Sequence, residues 1–204
     1  MDASATLPLV ASHVLIVGSG FAGLCAARAL AREAVRITLL DRGNRHLFQP
    51  LLYQVATAGL SAPDIAASLR HILRRQRNLT VLMGDAIVVD AALLQVQLAE
   101  GETLDYDMLV LACGARHAYF GHDAWAMHVP ELKTLDDALE IRRCALTAFE
   151  RAESEDDPAA RAAWLTFAVV GGAQPGSSSP APWPTSRATP CSTNSAASIR
   201  VMHA

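Results

Sequence analysis

Residues 13–43 read HVLIVGSGFAGLCAARALAREAVRITLLDRG, and they decide the fold. His13 to Val17 form a short apolar run rich in β-branched residues. From Gly20 to Arg32, Leu24, Ala27 and Leu30 recur near helical spacing, and Arg36 to Leu40 form a second apolar run that closes on Asp41. Strand, glycine turn, helix and strand within about thirty residues make one βαβ unit. Gly18-Ser19-Gly20-Phe21-Ala22-Gly23 is GxGxxG in the position that gives the pattern meaning, directly after a strand and at a helix start. Gly18 permits a tight turn, Gly20 lets a pyrophosphate approach the backbone, and Gly23 lets helix and strand pack closely. Backbone N–H groups and the helix dipole then favour phosphate. Asp41 lies twenty-three residues after Gly18, where a carboxylate accepts from a ribose diol and disfavours a 2′-phosphate. These residues predict a dinucleotide site for FAD or NAD rather than NADP, with a glycine turn used only for packing as the competing reading.

Outward from this unit, Arg42 to Gly59 read as an apolar loop with little periodicity. Ser61 can cap, and Pro63 can begin, a helix reaching about Arg75. Short strand-like runs follow at 79–83, 86–89 and 94–98, with Glu100-Gly101-Glu102 as a hairpin turn. They read as a small antiparallel insertion before the main sheet resumes at Asp107 to Ala112. Thr134 is placed to cap a long helix reaching about Ala152, with Asp136 and Asp137 in its first turn. A polar loop and a short Ala/Arg helix lead to a strand at Leu165 to Val170.

The second glycine turn, at Ala112-Cys113-Gly114, and the later strand at 165–170 favour FAD for the first site, in the layout of a flavoprotein that binds two dinucleotides. The expected class is α/β: a Rossmann-type parallel sheet for FAD with a small antiparallel insertion, and a second such domain only begun. The expected division is an N-terminal tail at 1–11, an FAD-binding domain at 12–130, and a connecting helix and first strand of an NADH-binding domain at 131–172. Residues 173–204 hold 7 Ser, 5 Pro and no acid, a composition that cannot bury enough surface to offset ordering, so the tail is expected to be disordered.

A formal charge of −3 gives no electrostatic reason to expect nucleic acid, and Arg70, Arg74, Arg75 and Arg77 form only a local cluster that reads first as a solvated helix face. The four cysteines, Cys25, Cys113, Cys144 and Cys191, are widely spaced, show no metal-ligand pattern and fit a reducing cytoplasm. No signal peptide or membrane-spanning run is visible, and no metal site is predicted.

Three segments, DRGNRHLFQPLLYQVATAGLSAPDIAASLR, YDMLVLACGARHAYFG and LKTLDDALEIRRCALTAFERAE, closely resemble the type II NADH dehydrogenases, the single-chain NADH:quinone oxidoreductases. The likeness spans residues 12–172. It implies that Gly18, Ser19, Gly20, Phe21, Ala22, Gly23 and Asp41 hold FAD, with Arg42 beside Asp41, Ala86 near the adenine, and Ala112, Cys113 and Gly114 at the second turn. Cys113 stands where the family's strand-end motif carries threonine, a small change that leaves a backbone contact intact. Gln49, Pro50, Leu51 and Tyr53 lie near the flavin ring by the same resemblance. From the residues alone, Phe48, Leu51, Leu52 and Tyr53 make an apolar wall with a polar tip, and core packing is an equal alternative for each.

The implied reaction is hydride transfer from NADH to FAD and electron transfer to a quinone, with no side chain acting as a nucleophile. The related disulfide reductases need a redox cysteine pair near the flavin, and the first third of the chain offers only Cys25. For the intact enzyme the resemblance implies the cytoplasmic face of the inner membrane, peripheral contact through a C-terminal region, and leaves a homodimer open. A non-enzymatic FAD-binding remnant and an NAD(P)H-dependent flavin reductase with a non-quinone acceptor are the alternatives.

The strand at 165–170 should open a second GxGxxG for NADH, but only Gly171 and Gly172 are present before the sequence turns to AQPGSSSP. When each codon takes the third base of one triplet and the first two of the next, permitted codons beyond Gly172 read GPAGVELAGALADIARH. Trp183 and Met202, which have one codon each, both give Ala with their successors. The expectation is therefore a frameshifted, truncated reading after Gly172, whose product has little or no activity because parts are missing; a native disordered tail is the alternative.

Overall fold

The computed structural model describes residues 11–115, 124, 131–170 and 198–201, which divide into two units. The first unit holds the segment up to His46 together with Ala67–Gly114, and the second holds Leu47–Ala66 and the residues after Gly114. This differs from the contiguous 12–130 domain of the sequence reading, because twenty residues after the second strand belong with the later helix.

In the first unit, β1 (Ser12–Val17), α1 (Phe21–Ala29) and β2 (Val35–Asp41) form the expected βαβ unit. Together with β5 (Leu79–Met83) and β9 (Met108–Leu111) they give a four-stranded sheet in the order β5-β2-β1-β9. All three pairings are parallel, and Val14↔Ile37 and Val14↔Met108 fix the register around β1. The chain leaves this unit at β3 (Arg45–Leu47) and re-enters at β4 (Ala66–Ser68) and α4 (Leu69–Ile72). The run at 79–83, grouped in the sequence with the antiparallel pieces, is instead an edge strand of the parallel sheet. Alternation of side chains marks a strand but does not say which strand it pairs.

Both faces of the sheet are covered, which is why β1 is apolar throughout instead of alternating. Val14, Ile16, Ile37 and Leu39 pack on one side with Leu24 and Ala27 of α1 and with Leu69 and Leu73. Leu15, Val17 and Leu40 pack on the other with Val96, Leu98 and Tyr106. That second cover is supplied by the three-stranded antiparallel sheet of β6 (Ala86–Asp90), β7 (Gln95–Leu98) and β8 (Thr103–Asp105). Gly101, with φ +92°, makes the expected turn between β7 and β8.

In the second unit, a 3₁₀ turn (Gln49–Leu51), α2 (Leu52–Ala56) and α3 (Ala62–Ile65) precede the long helix α5 (Leu135–Glu153). Leu52, Val55 and Ile65 pack against Leu135, Ala138 and Ile141. The single long helix expected from Ser61 to about Arg75 is therefore broken. Ser61 caps as expected, in a capping box with Asp64, but Ile65 is buried in this cluster whereas Leu69 and Leu73 belong to the core of the first unit. One unbroken apolar stripe cannot serve two cores.

The helix α5 starts as predicted. The Asp137 N–H donates to Thr134 Oγ1 at 3.1 Å, and the Thr134 N–H donates to Asp137 Oδ2 at 2.7 Å, a reciprocal capping box. Thr134→Ala is expected to lower stability by about 1 kcal/mol, read as a lower urea midpoint with unchanged slope. After α6 (Pro158–Trp164), β10 (Phe167–Val170) pairs antiparallel with β11 (Ser198–Val201). Of the tail expected to be disordered, the described residues hold Ser198–Val201 alone, where β-branched and polar residues alternate; the rest of that expectation lies outside the described residues. Among the described residues, no helix is long and apolar enough to cross a membrane.

Candidate dinucleotide site

The chain leaves β1 at Val17 and turns into α1 through three glycines that do different things. Gly18 has φ +100°, and a Cβ there would overlap the Ala112 carbonyl. A Cβ on Gly23 would overlap the Gly18 carbonyl oxygen, so α1 can lie this close to the turn only with hydrogen at that position. At Gly20 a Cβ would meet nothing within 4 Å, leaving the backbone open to approach. The first turn of α1 has neither a side-chain cap nor an acidic residue. Phe21 and Ala22 are exposed. A helix start in this condition suits an anion, because its leading N–H groups lack intrahelical partners and carry the positive end of the dipole.

Asp41 at the end of β2 ties the turn in place. Its Oδ2 accepts the Ser19 N–H at 2.5 Å, and its Oδ1 accepts the Gly43 N–H at 2.8 Å. Ser19 is 3% exposed, so its N–H has little access to water and the carboxylate satisfies it. Each carboxylate oxygen keeps further acceptor capacity for a ribose hydroxyl. The Asp41 carbonyl also accepts the Gly84 N–H at 3.0 Å, which brings the end of β5 to the same place. There Arg42 lies 4.0 Å from Asp85, an exposed pair of little energetic weight. Ala86, the next residue, begins β6.

The second turn joins the first from β9. The Ala112 N–H donates to the Val17 carbonyl at 2.7 Å, and Cys113 Sγ lies 3.8 Å from the same oxygen. Gly114 has φ +74° and open space where a Cβ would stand. The structure therefore gathers Gly18, Ser19, Gly20, Gly23, Asp41, Ala112, Cys113 and Gly114 at the C-terminal ends of parallel strands, the usual ligand edge of such sheets. The open Gly20, the uncapped helix start and the anchored carboxylate fit the pyrophosphate and ribose of a dinucleotide.

Three residues at this edge were not singled out in the sequence. His46 Nδ1 is 3.0 Å from the Ser19 carbonyl, and its ring meets Phe21 edge-on at 5.2 Å. Gly43 donates to the Asp41 carboxylate beside Ser19, and Gly84 to the Asp41 main-chain carbonyl; a glycine two residues after the acid was the available signal.

Gln49, Pro50, Leu51 and Tyr53 lie in the second unit. Gln49 Nε2 donates to the Lys133 carbonyl at 3.4 Å, and Gln54 Nε2 donates to the Tyr53 hydroxyl at 2.8 Å. For Leu52 the core-packing alternative is the one observed: it is 2% exposed and packed with Val55. Gly171 and Gly172 lie outside the described residues. Cys25, Cys113 and Cys144 are free thiols, and among the described residues no group of three or more His, Cys, Asp or Glu converges as for a metal.

A family model described as pyridine nucleotide-disulphide oxidoreductase matches residues 12–176. Two Mycobacterium tuberculosis proteins, the type II NADH:quinone oxidoreductases NdhA and Ndh, are 50% and 48% identical over 165 and 162 residues. Each match takes in 78% of this chain and 34% or 35% of the relative. The chain thus spans about a third of the length of these curated relatives. Among solved structures, NDH2 from Plasmodium falciparum in complex with NADH superposes with a TM-score of 0.65 at 24% identity, covering 72% of this chain and 31% of that one, a likeness of fold.

Proposed function

Because the chain belongs to the pyridine nucleotide-disulphide oxidoreductases, we propose that it is the FAD-holding part of an enzyme that oxidises NADH and reduces a quinone. The 50% identity to a type II NADH:quinone oxidoreductase across the glycine turns and Asp41 carries this reading. FAD, when bound, supplies the chemistry by taking a hydride from NADH and passing electrons onward.

The chain's own residues bind and orient. Gly20 and the start of α1 receive the pyrophosphate, Asp41 accepts from the adenosine ribose, and Arg42 and Ala86 border the adenine. Ala112, Cys113 and Gly114 let the backbone close against the extended cofactor. Gln49, Pro50, Leu51 and Tyr53 are proposed to border the flavin ring, and Gly171 and Gly172 to begin the NADH turn. NADH and quinone are the proposed substrates of the whole enzyme, at the cytoplasmic face of a membrane reached through a C-terminal region. The frame slip after Gly172 is part of the same proposal.

The test has two arms. The 204-residue chain, supplied with FAD and desalted, is expected to stay yellow and to show no bleaching by NADH. The chain with its frame restored after Gly172 is expected to reduce quinone with NADH as donor. A panel of non-quinone acceptors separates the reductase alternative. An intact coding frame on DNA sequencing overturns the frame slip, and quinone reduction by the 204-residue chain itself overturns its expected inactivity.

A further inference from the structure

At the other end of α1 from the glycine turn, roughly 13 Å away along nine helical residues, lies an open surface depression of about 310 Å³. It is lined by Arg28, His71, Ile72, Arg74 and Arg75. No carboxylate lines it, and among the described residues none of these three arginines forms an ion pair.

The ordinary uses of cations at this place are already met by other groups. The last turn of α1 leaves carbonyls open, and basic residues often serve them. Here Gln76 Nε2 donates to the Ala27 carbonyl at 2.7 Å, and Asn78 Nδ2 donates to the Leu30 carbonyl at 3.0 Å. Arg70, on the same segment, is spent on the Val81 carbonyl at 3.1 Å. Arg74 is held by its neighbour: its Nη1 donates to His71 Nε2 at 2.6 Å and to the His71 carbonyl at 3.3 Å. Three exposed guanidinium groups lining one depression give it a positive potential that an anion relieves most at low ionic strength. The guanidinium fork matches phosphate oxygens two at a time, and an open depression suits a small, still partly hydrated anion.

We propose that this depression binds a phosphate-bearing anion, at a site separate from the dinucleotide turn. Pyrophosphate is the soluble probe, titrated calorimetrically at low salt into the full chain. Vesicles of phosphatidylglycerol, with phosphatidylcholine as control, test a lipid headgroup as the source. All three arginines are exposed, so Arg28→Gln and Arg74→Gln are compatible with the fold, and far-UV circular dichroism checks each variant.

Each substitution is expected to weaken binding of the responsive probe at least tenfold, while Arg161→Gln on α6 changes nothing. Arginine-dependent binding to pyrophosphate identifies a free phosphate compound. Binding only to anionic vesicles, with the same dependence, identifies a headgroup. Absence of binding to either probe, or affinities unchanged in both variants, overturns the proposal; the latter places bound pyrophosphate elsewhere, the glycine turn included.

Discussion

Gly23→Ala is expected to give a protein that is markedly less stable and retains no FAD after gel filtration. Helix propensity alone predicts the opposite sign, since alanine is better than glycine in a helix interior by roughly 1 kcal/mol. The new Cβ, however, would overlap the Gly18 carbonyl oxygen and would sit 3.4 Å from Ala112 Cβ. The first obstacle is backbone, which cannot swing aside as a side chain can. Either α1 lifts from the sheet, uncovering Leu24 and Ala27 from the core they share with Val14 and Ile16, or Gly18 leaves its conformation. Overpacking of this kind costs about 1–3 kcal/mol or more, enough to outweigh the propensity gain. Gly20→Ala separates fold from site, because its Cβ meets nothing in the protein. It should preserve the thermal midpoint of the ligand-free chain yet weaken FAD retention by blocking the approach of the pyrophosphate. Thermal denaturation and flavin absorbance of the two variants read both quantities. A Gly23→Ala protein with unchanged midpoint and full flavin content would contradict the packing argument.

The contrast between these glycines also shows how much was visible before the structure. GxGxxG, the acid at Asp41 and the turn at Gly114 are local signals, and each lies at the predicted strand end. The cap at Thr134 and the turn at Gly101 are local in the same way. What stayed hidden depends on partners far along the chain. Leu79–Met83 has the composition of a strand in any sheet; only its pairing, Ile37↔Leu79 through Asp41↔Met83, makes it parallel. Ile65, Leu69 and Leu73 have helical spacing, yet they divide between two cores, and spacing does not say which core a residue joins. For Leu52 the sequence left wall and core equally open for the same reason, because an apolar side chain in a short helix can face a ligand or a core with equal local preference. The hydrogen bonds of Asp41 lie between these extremes. Its position was legible, but its ties to Ser19 and Gly43 depend on the turn and the strand end meeting in space.

That arrangement gives the second large expectation. Asp41→Asn keeps the size of the side chain and removes one acceptor, so it tests the carboxylate more sharply than truncation does. Both oxygens of Asp41 face backbone donors, Ser19 N–H at one and Gly43 N–H at the other. An asparagine can offer its oxygen to only one of them and must turn its NH₂ toward the other. One donor loses its partner, and if it is Ser19, which is 3% exposed, little water is at hand to replace it. Leaving a buried donor unsatisfied costs about 1–3 kcal/mol, and the acceptor offered to the ribose weakens as well. The lost tie lowers the stability of the free and the bound chain alike; the weaker ribose acceptor alone is expected to lower FAD affinity by about tenfold, since each 1.4 kcal/mol is a factor of ten. The parallel sheet should survive, because its cores do not include Asp41. The same substitution should soften the preference against a 2′-phosphate, which rests on the negative charge at this strand end. Flavin fluorescence titration of the folded variant gives the affinity, and competition by NAD and NADP on the same protein gives the preference. Undiminished FAD affinity in a correctly folded Asp41→Asn chain would mean that the carboxylate ties the turn together without taking part in the cofactor site, and the assignment of the ribose contact to Asp41 would have to be withdrawn.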